Sequence, residues 1–501
     1  MLPLLTILVL SLSGPVAAGR KRTEIRIAPD TVSVLRNPLS GWVLYLGRTW
    51  DEDCWERFGY DAMAVPGQDR PVRVSDYATT CYVRTGWSSF EPREGEYAWN
   101  DPSSRLMRLL RSAEKRGLRL AFRIVVDGRD QGQNTPEYVF EAGAEGYPDP
   151  NAPGRISPYP DDPVFQQKYT KFIEAFAREF DDADRVDFID AYGLGKWGEA
   201  HSMVYKDYAN KARVFEWVTD LYARTFREVP LVINYHRLVG ANNTSGWGEV
   251  APDTRELLES AIRKGYSLRH DAFGMNGYYQ EWEKHFAAEW NFRRPILMEG
   301  GWITGAHHRY WIDPSGAYRE GHPEDVRRGE FEESKAARVN MMDLRIGHET
   351  SSWFACFDLV QRFVAEGGYR LYPDRIELPE EVAAEGEACI AHRWRNLGWG
   401  YCPTNIPQWN QKYKVAFALL DGRGRVNRVF VESESDLSTW HKEAPVSYVS
   451  RFSLRGIAPG EYLWCVGLVD VTRGNRIGLR MAADAMTTDE GWMKLCPVVV
   501  R

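Results

Sequence analysis

From about residue 40 to about residue 360 the chain alternates two patterns. Short, nearly continuous apolar runs are separated by longer stretches in which apolar positions recur every three or four residues. The runs are GWVLYL (41–46), TTCYVRTGW (79–87), RLAFRIVVD (119–127), RVDFIDAYG (185–193), PLVINYH (230–236), AFGMNGY (272–278), PILMEGGW (295–302) and TSSWFACFD (350–358). Runs without alternation fit strands buried on both faces. Between them, SRLMRLLRSAEKRG sets Leu106, Leu109, Leu110 and Ala113 on one helical face and stops at Gly117. DPVFQQKYTKFIEAFAREF does the same with Phe165, Tyr169, Phe172, Ile173 and Phe176. DTRELLESAIRKG opens on a capping residue and ends at Gly265. Residues 47–77 are irregular. Eight strand-then-helix units predict an α/β chain folded as a (β/α)8 TIM barrel. The alternative is an open doubly wound sheet. No GxGxxG or P-loop follows a strand, which removes weight from its nucleotide-binding version.

After residue 375 the period changes to two, with Gly, Pro and Asp turns between runs such as KYKVAFALLDGRGRV and EYLWCVGLVDVTRGNRIGL. This predicts an antiparallel, Ig-like β-sandwich over 376–501, joined through GGYRLYPDRIELPEE to a barrel over 19–375. No internal repeat or low-complexity tract interrupts either part.

A length of 501 residues already exceeds one ordinary core. Aromatic side chains make up 13%, with 19 Trp and 25 Tyr, which fits either large cores or a groove of flat rings stacking on sugar faces. The net charge is −7 and the only short basic cluster is GRKRTEIR, so nucleic acid is not an expected partner. The N-terminus, MLPLLTILVLSLSGPVAAGRKR, reads as a signal peptide over 1–18 that ends in Val16-Ala17-Ala18. No later segment is long and apolar enough to span a bilayer. The expected location is secreted or periplasmic, with no membrane partner once the leader is removed. Seven Cys are an odd number, so at least one stays free or pairs between molecules, and no CxxC suggests structural zinc. Asn242-Asn243-Thr244 fits a glycosylation sequon in a eukaryotic host.

Chemistry in such a barrel gathers at the C-terminal ends of the strands. The residues expected there are Arg84, Trp87, Glu91, Asp127, Glu199, Asn234, Tyr235, His236, Asn276, Tyr278, Glu299, Trp302, Trp353 and Asp358. Glu199, in GLGKWGEAHS, and Glu299, in PILMEGGW, close runs four and seven and face each other across the mouth. Two opposed carboxylates suit glycosidic cleavage: one protonates the leaving oxygen, while the other attacks the anomeric carbon or activates water. Tyr278 is placed to hold the attacking carboxylate, and Trp353 to support a sugar ring. Glu91 reads as a structural acid, and Asp127 and Asp358 as either hydroxyl contacts or loop closures. His307-His308 lacks partners at metal-ligand spacing, so no metal or other cofactor is expected. His201 and His236 are candidates for a subsite. Trp302, Tyr310 and Trp311 are candidates for stacking on a sugar or for packing their own loop.

With these residues in view, the chain resembles the clan A glycoside hydrolases, the 4/7 superfamily. In that group the acid/base Glu ends strand four, the nucleophile Glu ends strand seven, and a Tyr on strand six and a Trp on strand eight recur. Glu199, Glu299, Tyr278 and Trp353 match these places. WSSFEPREGEYAWN (87–100) is similar to a motif of barrel galactosidases and their relatives. One departure stands out. The usual pair at strand four is Asn-Glu, and here it is Gly198-Glu199. Asn234 and Asn276 are the candidates to take over the missing sugar contact. The WGE barrel with a RWRNLGWGYCP sandwich also resembles an uncharacterised bacterial family whose two parts have no assigned function. The resemblance implies a retaining glycoside hydrolase with catalytic Glu199 and Glu299, acting on a poly- or oligosaccharide, and the leader makes it a secreted one. Arg84, Trp87, Asp127, Asn234, His236, Asn276, Tyr278, Trp302 and Trp353 would bind substrate. The competing expectation is a non-catalytic carbohydrate-binding or surface protein on a decayed barrel.

Overall fold

The computed structural model describes residues 21–46, 53–128, 132–149, 152–241, 249–274, 278–301, 318–319 and 321–501. Eight parallel strands close into a barrel in chain order: Gly41–Leu46, Ala78–Gly86, Arg119–Val125, Val186–Asp190, Leu231–Asn234, Tyr266–His270, Ile296–Met298 and Met341–Asp343. The eighth pairs with the first, Met341 opposite Gly41, which completes the closure. Helices such as Arg105–Lys115, Pro163–Phe180, Lys211–Thr225 and Thr254–Arg263 form the outer ring. Ser104 and Asp162 cap two of them by accepting from amides of the first turn.

Two strands differ from the sequence reading. Strand six is YSLRH, 266–270, immediately before the AFGMNGY run. Its Ser267 and Arg269 are fully buried, and a charged residue in a strand breaks the apolar pattern. Strand eight is the three-residue MMD, 341–343, too short to register as a run. TSSWFACFD instead falls in two helices, His348–Ala355 and Phe357–Glu366.

Alternate residues of each strand point into the barrel. Val43, Tyr45, Tyr82, Ala121, Phe188, Val232, Leu297 and Met341 form an apolar floor. Trp42, Leu44, Leu46, Cys81, Val83 and Leu120 pack outward against the helices. Water would meet that floor at the N-terminal end of the barrel if nothing covered it.

The C-terminal β-sandwich covers it. One sheet orders Arg22–Arg26, Leu371–Pro379, Glu387–Asn396 and Val446–Ser453, so the first described strand of the chain belongs to the sandwich. The second runs Glu381–Val382, Met493–Val500, Gly460–Asp470, Tyr413–Leu420 and Val426–Glu432. Tyr369, Leu371, Trp409, Tyr413 and Phe417 share one continuous core with the barrel floor. The rim is tied by Asn340, whose Nδ2 donates to Leu39 O (3.1 Å) and Tyr401 O (2.8 Å), and by the ion pairs Arg473–Glu228 (3.0 Å) and Arg476–Asp184 (2.8 Å). Among the described residues no helix is long and apolar enough to cross a membrane. The seven cysteines are free thiols, five of them buried. Residues 1–18 and the Asn242 sequon lie outside the described residues.

Candidate active site

Above the apolar floor the barrel interior becomes charged. Strand three contributes Arg123, strand four Asp190, strand six Arg269 and strand eight Asp343, all buried. Charged groups at this depth persist only when paired. Arg123 carries most of the pairing. Its Nε donates to Asp190 Oδ2 (2.8 Å), Nη1 to Glu199 Oε1 (3.1 Å) and Nη2 to Glu299 Oε2 (3.0 Å). Arg269 Nη2 also donates to Glu299 Oε2 (3.0 Å), and Arg345 Nη1 donates to Glu299 Oε1 (3.2 Å). Arg84 Nη1 lies 3.4 Å from Glu199 Oε1, and His201 Nε2 lies 3.1 Å from Glu199 Oε2.

Glu199 reaches this centre on a loop that turns back over the mouth. Gly198 has φ +75°, a conformation that side chains disfavour, and a Cβ there would stand 3.1 Å from Arg123 Cδ. Trp197, Ala200 and Ser202 are also left-handed, at φ 56°, 61° and 54°. Such backbone is held against its own preference by the surrounding packing. Glu299 stays in the sheet ladder: its amide donates to His270 O (2.8 Å), and its carbonyl accepts from Phe273 N (2.9 Å).

A third acid joins the pair. Asp271 directly follows strand six, and one carboxylate oxygen from each of Glu199, Asp271 and Glu299 lies within 4.8 Å of the others. Glu199 and Glu299 are 3% and 1% exposed, whereas Asp271 is only half-buried. Burial pushes the Glu199 carboxyl up, but the His201 hydrogen bond and Arg123 outweigh it and leave it below the ordinary range. Burial also opposes ionisation of Glu299, and Arg123, Arg269, Arg345 and Arg84 together hold it well below. Asp271 moves the other way. Desolvation and the charges of Glu199 and Glu299 drive its carboxyl well above the ordinary value, with only partial relief from Arg345 and Arg123. The three acids are the one grouping among the described residues able to offer a cation three ligands, but the donors do not fit one. Both glutamates are already committed to guanidinium groups, and a cation between them would face Arg123 and Arg345.

No family model matches the chain, and no curated protein does. Solved structures similar to it include xylanase 10B from Thermotoga maritima (9% identity, 67% of this chain and 99% of that one, TM-score 0.41). Xylanase B from Clostridium stercorarium F9 gives 15% identity, 63% and 88% coverage and a TM-score of 0.35. The endo-β-1,4-mannanase from Thermotoga petrophila gives 9%, 93% and 98%, and 0.37. Likenesses this distant carry no argument, and the chemistry rests on the site itself.

Several residues expected at the mouth have other places. Trp353 lies in the helix His348–Ala355, fully buried, its ring edge-on to Trp42 at 4.9 Å with the Arg327 guanidinium 5.0 Å above it. It packs the layer between barrel and helices, because the helical period of this segment turns it inward. Trp87 is likewise in that layer, against Phe172 (5.3 Å) and Tyr169 (5.4 Å), and its Nε1 donates to Glu91 Oε2 (2.8 Å). Glu91 also accepts from Tyr138 and from Gly95 N, so it is a structural acid. Asp127 accepts from Tyr147 (2.7 Å), Ser157 (2.5 Å) and Lys196 (2.8 Å), a pin between three loops with its oxygens already engaged. Asp358 sits at the surface, paired with Arg328.

Others do reach the centre. Arg84 contacts Glu199. Asn234 is a strut: its Nδ2 donates to Glu199 O (3.0 Å), and its Oδ1 accepts from Asp271 N (3.3 Å). His236 lies beside both His201 and His270, its ring centroid 5.7 Å from each and tilted 38° and 34° to them, and Tyr278 lies 4.7 Å from its ring. Burial, with His201, His270 and Arg237, keeps His236 neutral. Among the described residues the donors found on Glu299 are guanidinium groups, which take the task expected of Tyr278. Asn276, Trp302, His307, His308, Tyr310 and Trp311 lie outside the described residues. Sequence reading missed Asp271, Arg269 and Arg345. An arginine inside a strand, as in YSLRH, is the signal that could have found Arg269 and, directly after that strand, Asp271, whereas Arg345 follows a strand too short to mark.

Proposed function

We propose that the chain is a glycoside hydrolase that cleaves a poly- or oligosaccharide. One observation carries the reading: oxygens of Glu199 and Glu299, from the ends of strands four and seven, approach within 4.8 Å at the mouth of a closed barrel. An oxygen approach of this size is compatible with the closely set carboxyl pair, about 5–5.5 Å apart, that retaining enzymes use. Glu299, kept ionised by three arginines, is the nucleophile. The reading extends to export, with residues 1–18 as a leader and a mature N-terminus at Gly19, found by mass spectrometry of the secreted or periplasmic protein.

The test is incubation of the purified protein with an activated fluoro-glycoside panel, followed by peptide mapping. A covalent glycosyl adduct on Glu299, absent from Glu299→Gln, supports the reading. Absence of both turnover and adduct across the panel sinks it.

A second reading is a non-catalytic carbohydrate-binding protein. The burial of both glutamates, and the guanidinium or imidazole donor on each of their oxygens, favours it. Calorimetric binding of oligosaccharides without hydrolysis, unchanged in Glu199→Gln and Glu299→Gln, would decide for it.

A further inference from the structure

We infer that Asp271, and not Glu199, delivers the proton to the leaving glycosidic oxygen. This rests on the hydrolase reading above and changes which strand supplies the acid.

Three features of the site separate the two carboxyls. The first is access. Asp271 is half-buried where Glu199 is 3% exposed, so Asp271 is the more exposed of the two residues. The second is prior engagement. Glu199 accepts from Arg123 and Arg84 on one oxygen and from His201 on the other. Among the described residues no donor reaches the carboxyl oxygens of Asp271. A carboxyl that binds guanidinium groups must be an anion, whereas one without donors is free to carry a proton. The third is mounting. Asn234 Oδ1 accepts from the Asp271 amide while Asn234 Nδ2 donates to the Glu199 carbonyl. The backbone that carries the half-buried acid is therefore tied to the backbone that carries the buried one, and a general acid needs a positioned mount.

The charged and titratable groups facing Asp271 come from five segments: Glu199 after strand four, Glu299 after strand seven, Arg345 after strand eight, Arg123 within strand three and Tyr278 in its own loop. Desolvation and the two glutamates raise the Asp271 carboxyl, and the arginines offset this only in part. Its protonated state is the one the surroundings favour.

The step balances without any group beyond water. The C1–O bond breaks, its electron pair stays on the leaving oxygen, and that oxygen takes the Asp271 proton. A Glu299 oxygen forms the new bond to C1. Water then displaces Glu299 at C1 and returns a proton to the Asp271 carboxylate. Glu199 acts through Arg123 and His201 as a positioning residue.

The experiment compares wild type, Asp271→Asn and Glu199→Gln on dinitrophenyl and methoxyphenyl glycosides of common hexoses and pentoses, both anomers. Loss of a general acid harms the poor leaving group far more than the good one. Asp271→Asn should lose about 10²–10⁴-fold on methoxyphenyl glycosides. It should keep most of its activity on dinitrophenyl glycosides, gain from added azide, and lose the alkaline limb of the pH–rate profile. Glu199→Gln should lose activity on both leaving groups alike and keep the limb. The reverse pattern overturns the inference and leaves the hydrolase reading intact. A wild type inactive on every glycoside overturns both. Thermal unfolding shows whether Asp271→Asn is folded, and if it is not, the leaving-group dependence of Asp271→Glu and Glu199→Gln decides by the same criterion.

Discussion

Arg123 and Glu299 form an ion pair at the centre of the barrel, Nη2 to Oε2 3.0 Å, with neither side chain more than 1% exposed. The same guanidinium holds Glu199 at 3.1 Å and Asp190 at 2.6 Å. One cation thus offsets three acids from the ends of strands four and seven. Replacing it with the uncharged Arg123→Met leaves buried anions without their main partner. Unfolding free energy should fall by about 3–5 kcal/mol. Urea denaturation measures it, and a loss below about 1 kcal/mol would mean that Arg269 and Arg345 suffice.

Asp343 gives the fold a pH dependence of definite sign. Burial pushes its carboxyl up to about 6, with Glu299 adding to this and Arg345 and Arg269 opposing it. In the unfolded chain an Asp titrates near about 3.9. The folded state therefore binds the extra proton between those values, and this contribution is full below about 4 and lost as pH rises through about 6. Asp343→Asn removes it, so the stability of the variant relative to wild type should climb from pH 4 to pH 6 and then level. A difference flat across that window in denaturation midpoints would refute the assignment.

Asn234 reaches two acid-bearing loops at once. Asn234→Ala removes both hydrogen bonds, at a stability cost of about 1–3 kcal/mol. A displacement on the order of 1 Å at a reacting group can cost about 10²-fold in rate. If the chain hydrolyses glycosides, kcat should fall by that order while KM changes little. A change confined to KM would instead make Asn234 a substrate contact.

Trp353 separates packing from recognition. Trp353→Ala should cost about 3–5 kcal/mol through the cavity left beside Trp42. Any affinity for oligosaccharides should survive in the folded fraction. A stable variant that loses sugar binding would contradict the outer-layer placement.

The shared core makes barrel and sandwich one cooperative unit. Calorimetry should give a single unfolding transition, because exposing Val43, Phe188 and Leu297 requires lifting Trp409 and Tyr413. Two resolved transitions would show that the floor is stable uncovered.

The apolar runs marked six of the eight barrel strands, since a strand buried on both faces must be apolar on both. Strand six escaped this logic because Ser267 and Arg269 turn inward to the charged layer. That one displacement moved the expected mouth of the strand from Asp271 to Asn276 and Tyr278, and with it hid the third acid. Strand eight was lost to its length, and the apolar helix that follows drew Trp353 to a place it does not occupy.

The barrel, the later β-sandwich and two glutamates at opposed strand ends were legible along the chain, because periodicity is a local property. How those glutamates are charged follows from contacts made across the closed barrel. Arg123, Arg269 and Arg345 come from strands three and six and from the turn after strand eight, and only closure of the barrel brings them onto Glu299. The tertiary structure also decided that Asp271 stands beside the pair and that the sandwich seals the floor. Electrostatic state depends on distances across the fold, and no spacing along the chain encodes them.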